Sequence, residues 1–170
     1  MRFLLFILSI CFVTASDIRV MTYNLLNFSD DDNREMHYIS ILESVLPDLI
    51  VVQEVVGQTG FTHFQSDVLD VFQNGQWSGA PFINQSAQQD IALFFKHDVF
   101  SFISTVAVGT AQSSGTRDVI EWLMVHNMSE IEFAIYGVHL KASSGSSNAE
   151  QRLAEATVLR QHLNNLSNIK

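Results

Sequence analysis

The run Asp48-Leu-Ile-Val-Val-Gln-Glu-Val55 follows directly on Pro47 and is apolar almost without interruption. A strand with one wet face alternates apolar and polar residues. A short continuous apolar run instead reads as a strand covered on both faces. Such a strand needs a layer on each side, so the chain has to build a layered α/β structure around it. The flanking segments agree. Ile18 to Leu26 reads as a strand. Asp30 to Asn33 is an acidic turn, and Asp32 with Glu35 forms a capping box for a helix whose face carries Met36, Ile39, Leu42 and Leu46. Pro47 ends that helix. Phe61 to Phe72 reads as a second helix, with Phe64, Val68, Val71 and Phe72 at helical spacing.

From Trp77 onward strands dominate. Gln89 to Lys96, Phe100 to Val108, Asp118 to His126 and Ile131 to Leu140 are rich in Phe, Val and Ile, and their short joins suit antiparallel neighbours. A Ser/Gly loop, 143–147, leads to a helix at 148–166. Ser147 and Glu150 form its capping box, and Leu153, Ala156, Leu159 and Leu163 its buried stripe. There is no internal repeat. At 170 residues with 47% hydrophobic and 16% charged content, the chain has the size of one domain and is not disordered. A net charge of −9 argues against a basic nucleic-acid coat protein. It leaves room for an enzyme that meets phosphates through a metal, because the metal brings its own positive charge.

Arg2 precedes an apolar run from Phe3 to Ala15, too short to span a bilayer, with Val13 and Ala15 as small residues before Ser16. Residues 1–15 read as a cleaved signal peptide, so the protein is expected to be secreted or periplasmic, without a stable membrane anchor. Removing those 15 of the 170 residues, Arg2 among them, leaves 155 residues with net charge −10 and no cysteine. The mature chain then has neither disulfides nor a thiolate nucleophile. Asn-x-Ser triplets begin at Asn27, Asn84, Asn127 and Asn165, and matter only in a eukaryotic secretory pathway.

Three strands end in polar residues: Thr22-Tyr-Asn24, Gln53-Glu54 and Val138-His-Leu-Lys141. Strand ends are where loops converge to make sites. A carboxylate, an amide and an imidazole brought together suit a hard cation and a proton donor. Each residue alone has a plainer reading. Glu54 could be an exposed terminus, Asn24 a turn cap, His139 a core histidine, and Asp90 and Arg117 solvated surface.

Together, Ile18-Arg-Val-Met-Thr-Tyr-Asn24, Asp48-Leu-Ile-Val-Val-Gln-Glu54 and Tyr136-Gly-Val-His139-Leu-Lys resemble the endonuclease/exonuclease/phosphatase superfamily, the deoxyribonuclease-I-like fold. The resemblance runs from about Ile18 to Leu163. It implies a layered α/β/β/α sandwich of mostly antiparallel strands. It also implies hydrolysis of a phosphate ester by activated water with a divalent cation, usually magnesium, with manganese or calcium as substitutes. By the same resemblance Glu54 is the metal ligand, Asn24 orients metal-bound water or phosphate, and His139 binds phosphate or protonates the leaving oxygen. Asp90 is the acidic partner of that histidine, fixing its tautomer and raising its pKa, and Arg117 contacts phosphate. The family's later Gly-Asp-Phe-Asn and Ser-Asp-His elements do not occur in these 170 residues. Residues 16–170 are therefore expected to be a partial domain, incomplete at the C-terminus, that holds its metal weakly. The expected partner is a nucleic acid or other phosphodiester, a phospholipid or sphingomyelin being the next substrate. A non-catalytic half-domain needing a complementary polypeptide, and a binding domain with a coincidental Asn, Glu and His, are the competing readings.

Overall fold

The computed structural model describes residues 17–30, 33–85, 89–111 and 116–167. The signal segment and Asp32 of the first capping box lie outside them. The run after Pro47 forms β2 (Leu49–Val55), and its first four residues and its last are buried. β1 (Val20–Phe28) pairs parallel to it. On its other side lies β4 (Asp90–Lys96), antiparallel, followed by the short β3 (Trp77–Gly79). The first sheet therefore has the order β1-β2-β4-β3. β5 (Phe100–Val108), β6 (Val119–His126) and β7 (Ile131–Gly137) form a second, antiparallel sheet.

Alternation along the strands splits the interior into two cores. Ile50, Val52, Ala92 and Phe94 face α1 (Glu35–Val45) and the helical segment that starts with α2 (Gly57–His63), where Tyr38, Ile39, Leu42, Phe64, Val68 and Leu69 are buried. Leu49, Val51, Ile91, Leu93 and Phe95 face the second sheet and meet Phe100, Ile120, Trp122 and Met124. The outer face of that sheet carries the long final helix, joined to it by His162 Nε2 and Glu121 Oε2 at 2.6 Å. The result is an α/β/β/α sandwich with mostly antiparallel pairing, as the sequence implied.

Several element-level expectations need correction. Met36 and Leu46 are exposed, and Tyr38 takes their place in the core. Leu46 is instead the left-handed C-cap of α1, its N–H bonded to the carbonyl of Leu42 at 2.7 Å. The second helix begins at Gly57 rather than Phe61, loosens into a π-helical stretch at Phe64–Leu69, and ends as α3 (Asp70–Phe72). Gly60 lets this helix pack closely against the end of β1: a Cβ there would lie 2.6 Å from the carbonyl oxygen of Phe28. Val71 points to solvent. β7 stops at Gly137, three residues before Leu140. The final helix, α4 (Ser146–Ser167), starts before Ser147, which therefore is not its cap. Its anticipated stripe is only partly turned inward: Leu159 and Leu163 are half-buried, but Leu153 is 68% exposed and Ala156 is exposed, whereas Glu155 is fully buried.

Candidate active site

The site begins with two irregularities in the first sheet. β1 and β2 stay in register to Asn24 opposite Gln53, then resume at Phe28 opposite Val55. β2 and β4 pair Gln53 with Ile91 and Val55 with Asp90. Glu54 is therefore the extra residue of a bulge against β4, with φ at +63°, while on its other side β1 places Leu25, Leu26 and Asn27 opposite Glu54 alone, the last two at φ +53° and +54°. Each such residue costs on the order of 1 kcal/mol. Bulges of this kind re-aim a side chain at the end of a strand. Here Glu54 Oε1 accepts from Asn24 Nδ2 at 2.9 Å, and Oε2 accepts from the Asn27 backbone N–H at 3.1 Å. Asn24 Oδ1 in turn accepts from the Leu26 N–H at 2.8 Å. Asn24 thus caps its own turn and orients Glu54 with the same amide.

His139 follows the end of β7 and enters from the second sheet. Its Nε2 lies 3.6 Å from Glu54 Oε1, and the side chain is 16% exposed. Arg117, just before β6, donates through Nη2 to the carbonyl of His139 at 3.2 Å and through Nη1 to Gln89 Oε1 at 3.3 Å. Gln89 Nε2 donates to Asn27 Oδ1. Polar contacts therefore run from Asn24 through Glu54, Asn27, Gln89 and Arg117 to His139, across the gap between the sheets. Asn24, Glu54, His139 and Arg117 converge. Asn27 and the Gln89 side chain were not anticipated: Asn27 joins the site through the bulge, and Gln89 through its contacts to Asn27 and Arg117.

Burial and charge set the electrostatics. Burial pushes the His139 imidazole below its ordinary pKa, and the Arg117 cation adds to this, while Glu54 and the Gln89 backbone oppose it. His139 is therefore mostly neutral at pH 7. Burial also lowers Arg117, against the pull of Glu54, Glu155 and Asp90, yet a guanidinium stays protonated. Asp90 is fully buried. Burial drives its carboxyl up to about 6, with the Gln85 N–H and Arg117 drawing it back. The anticipated Asp90–His139 pair does not form. Asp90 Oδ1 accepts from the Gln85 N–H at 3.1 Å, and Asp90 Oδ2 and His139 Nδ1 have no hydrogen bond among the described residues. The histidine's pKa is accordingly lowered rather than raised.

No group of three His, Cys, Asp or Glu gathers around a common point among the described residues. A single carboxylate is nevertheless enough for magnesium, which keeps several waters and uses one or two carboxylates plus substrate phosphate. Glu54 fits that role. Each of its oxygens accepts one hydrogen bond, and a carboxylate has about four acceptor positions.

No family model and no curated protein matches the sequence. Solved structures do match. The human Nocturnin catalytic domain with bound sulfate aligns with a TM-score of 0.64 at 20% identity, over 89% of this chain and 60% of that one. D. rerio TDP2 complexed with a single-strand DNA product aligns at 0.65 and 13% identity, over 86% and 54%. Truncated Caenorhabditis elegans TDP2 aligns at 0.66 and 16% identity, over 90% and 57%. These are structures of one superfamily. The chain has the endonuclease/exonuclease/phosphatase fold. It spans between 54% and 60% of the length of these three proteins. With this fold, Glu54 and His139 occupy the ends of strands from two different sheets, and the crevice between those ends is where the polar chain of contacts lies.

Proposed function

We propose that this crevice is the cation- and phosphate-binding part of a phosphodiester hydrolase active site. The observation that carries the reading is the meeting of Asn24, Glu54 and His139. Three motifs separated by up to 115 positions reach one crevice, and the strained residue among them is the carboxylate. Glu54, kept in place by Asn24 and the Asn27 N–H, would hold the cation. Magnesium bound there would polarise a phosphate oxygen and lower the pKa of a bound water. His139, neutral at pH 7, presents Nε2 to a phosphate oxygen beside Glu54. Arg117 supplies a fixed positive charge behind the crevice and braces the histidine through its carbonyl. Asp90, ionised above about pH 6, balances that charge from within the sheet.

Nucleic acid is the first substrate and a phospholipid or sphingomyelin phosphodiester the second. The apolar run before Ser16 supports export to a secreted or periplasmic location; a native N-terminus other than Ser16 would argue against it.

The test uses protein expressed from the longest natural reading frame, assayed on linear DNA and on a small aryl phosphodiester. Hydrolysis should require magnesium, stop with EDTA and fall by at least about 10²-fold in Glu54→Ala, the scale of losing a positioned catalytic group. Hydrolysis that ignores EDTA and survives Glu54→Ala would refute the reading, as would no hydrolysis of either substrate.

A further inference from the structure

The segment that carries His139 has no regular structure. β7 ends at Gly137, and α4 begins at Ser146. Backbone without a ladder must be positioned by other partners. Arg117 holds this segment from the site side through the carbonyl of His139. From the opposite side two residues one turn apart on α4 grip the backbone of Lys141. Glu155 Oε2 accepts its N–H at 2.9 Å, and Arg152 Nη1 donates to its carbonyl at 2.9 Å. Arg152 Nη1 also reaches the carbonyl of Ser143, again at 2.9 Å. Glu155 is fully buried, while the leucine two positions before it is exposed. Burying a carboxylate is costly, and here Oε2 has the Lys141 N–H while Oε1 has no hydrogen bond among the described residues, so among hydrogen bonds that contact alone offsets the cost. The helix thus turns a charged residue inward to meet the His139 segment and leaves Leu153 in water.

We infer that Glu155 and Arg152 are positioning residues for the proposed site: α4 clamps Lys141, and the clamp sets where His139 stands relative to Glu54. The inference rests on the hydrolase reading for its activity arm alone. In this arrangement Glu155 acts as an acceptor for the Lys141 N–H. A glutamine can do the same and an alanine cannot.

The experiment compares wild type, Glu155→Ala, Glu155→Gln and Arg152→Ala by amide hydrogen exchange at Lys141 and by magnesium-dependent phosphodiester turnover. Glu155→Ala should speed exchange at Lys141 at least 10-fold and lower kcat at least 10-fold, with KM within about 2-fold. Glu155→Gln should restore both to within about 3-fold of wild type. Arg152→Ala, whose residue is only half-buried, covers the case in which Glu155→Ala fails to fold, and should show the same kcat-selective loss. Unchanged Lys141 exchange in Glu155→Ala and Arg152→Ala would overturn the clamp. So would a Glu155→Gln variant as impaired as Glu155→Ala, because the negative charge rather than the acceptor would then matter. A wild type that turns over no substrate counts against the hydrolase reading and leaves the exchange arm to decide the clamp.

Discussion

At Glu54 the backbone conformation and the chemistry pull in opposite directions. Its φ of +63° suits glycine, yet the position holds a carboxylate that accepts two hydrogen bonds. Glu54→Gly should relieve about 1 kcal/mol of backbone strain and forfeit two hydrogen bonds to a carboxylate, together about 3 kcal/mol. Thermal melting should place that variant about 2 kcal/mol below wild type, still folded, while hydrolysis is lost. Asp90 makes a second case. Its folded-state pKa near 6 lies above the ordinary 3.8, so between those values the folded protein keeps a proton that the unfolded chain has released. The stability this group contributes is complete below about pH 4 and is lost as pH rises through about 6. The loss is on the order of 3 kcal/mol. Asp90→Asn should therefore melt higher than wild type at pH 7.5, with the gap closing toward pH 4; a wild type more stable at pH 7.5 would contradict this. Residue by residue, the family resemblance singled out Asn24, Glu54, His139 and Arg117, each of which alone had a plainer reading, and the fold brings these four together. Asn27, Gln89 and Glu155 were not legible. Their roles come from a bulge and from a contact between α4 and a distant loop, neither of which leaves a local pattern.

The elements show the same division. β2, β4, β5 and β6 were readable to within a residue, since apolar strand runs bounded by turns carry their own limits. Helical faces were less so. Periodicity finds which residues could share a stripe, and leucines then dominate the choice of stripe. In α4 that choice held only for Leu159 and Leu163, which are half-buried; nearer the start of the helix the inward positions are polar, with Arg152 and Glu155 on Lys141. The start of α2 was hidden by Gly57 and Gly60, which weaken a helical pattern; Gly60 is needed because a Cβ there would meet the Phe28 carbonyl. Another glycine matters at the end of β7. A Cβ on Gly137 would lie 2.6 Å from Trp122 Cζ3 and 2.7 Å from Ile91 Cγ2, and both of those residues are fully buried. Gly137→Ala should cost about 1–3 kcal/mol in denaturant unfolding, the scale of core overpacking. It should also lower hydrolysis, because His139 follows two residues later. A variant as stable as wild type would show that β7 can shift freely.

On the scale of the whole molecule, the sandwich brings the ends of β1, β2 and β7 together, and so carries residues from both sheets to one crevice. That the first sheet is covered on both faces was foreseeable from the apolar run of β2, and the α/β/β/α order from the family resemblance. The convergence was foreseeable only through the family resemblance, since the three motifs are far apart in sequence. With a net charge of −9, the molecule as a whole does not attract a polyanion, so under the proposed function a cation at Glu54 and the buried Arg117 would supply the local positive field. The cation site can be observed directly by adding manganese to isotope-labelled protein and mapping paramagnetic broadening by NMR. Broadening should centre on Asn24, Asn27, Glu54 and His139 and vanish in Glu54→Ala. Broadening centred elsewhere, or unchanged by Glu54→Ala, would contradict the assignment of Glu54 as the cation ligand and with it the proposed active site.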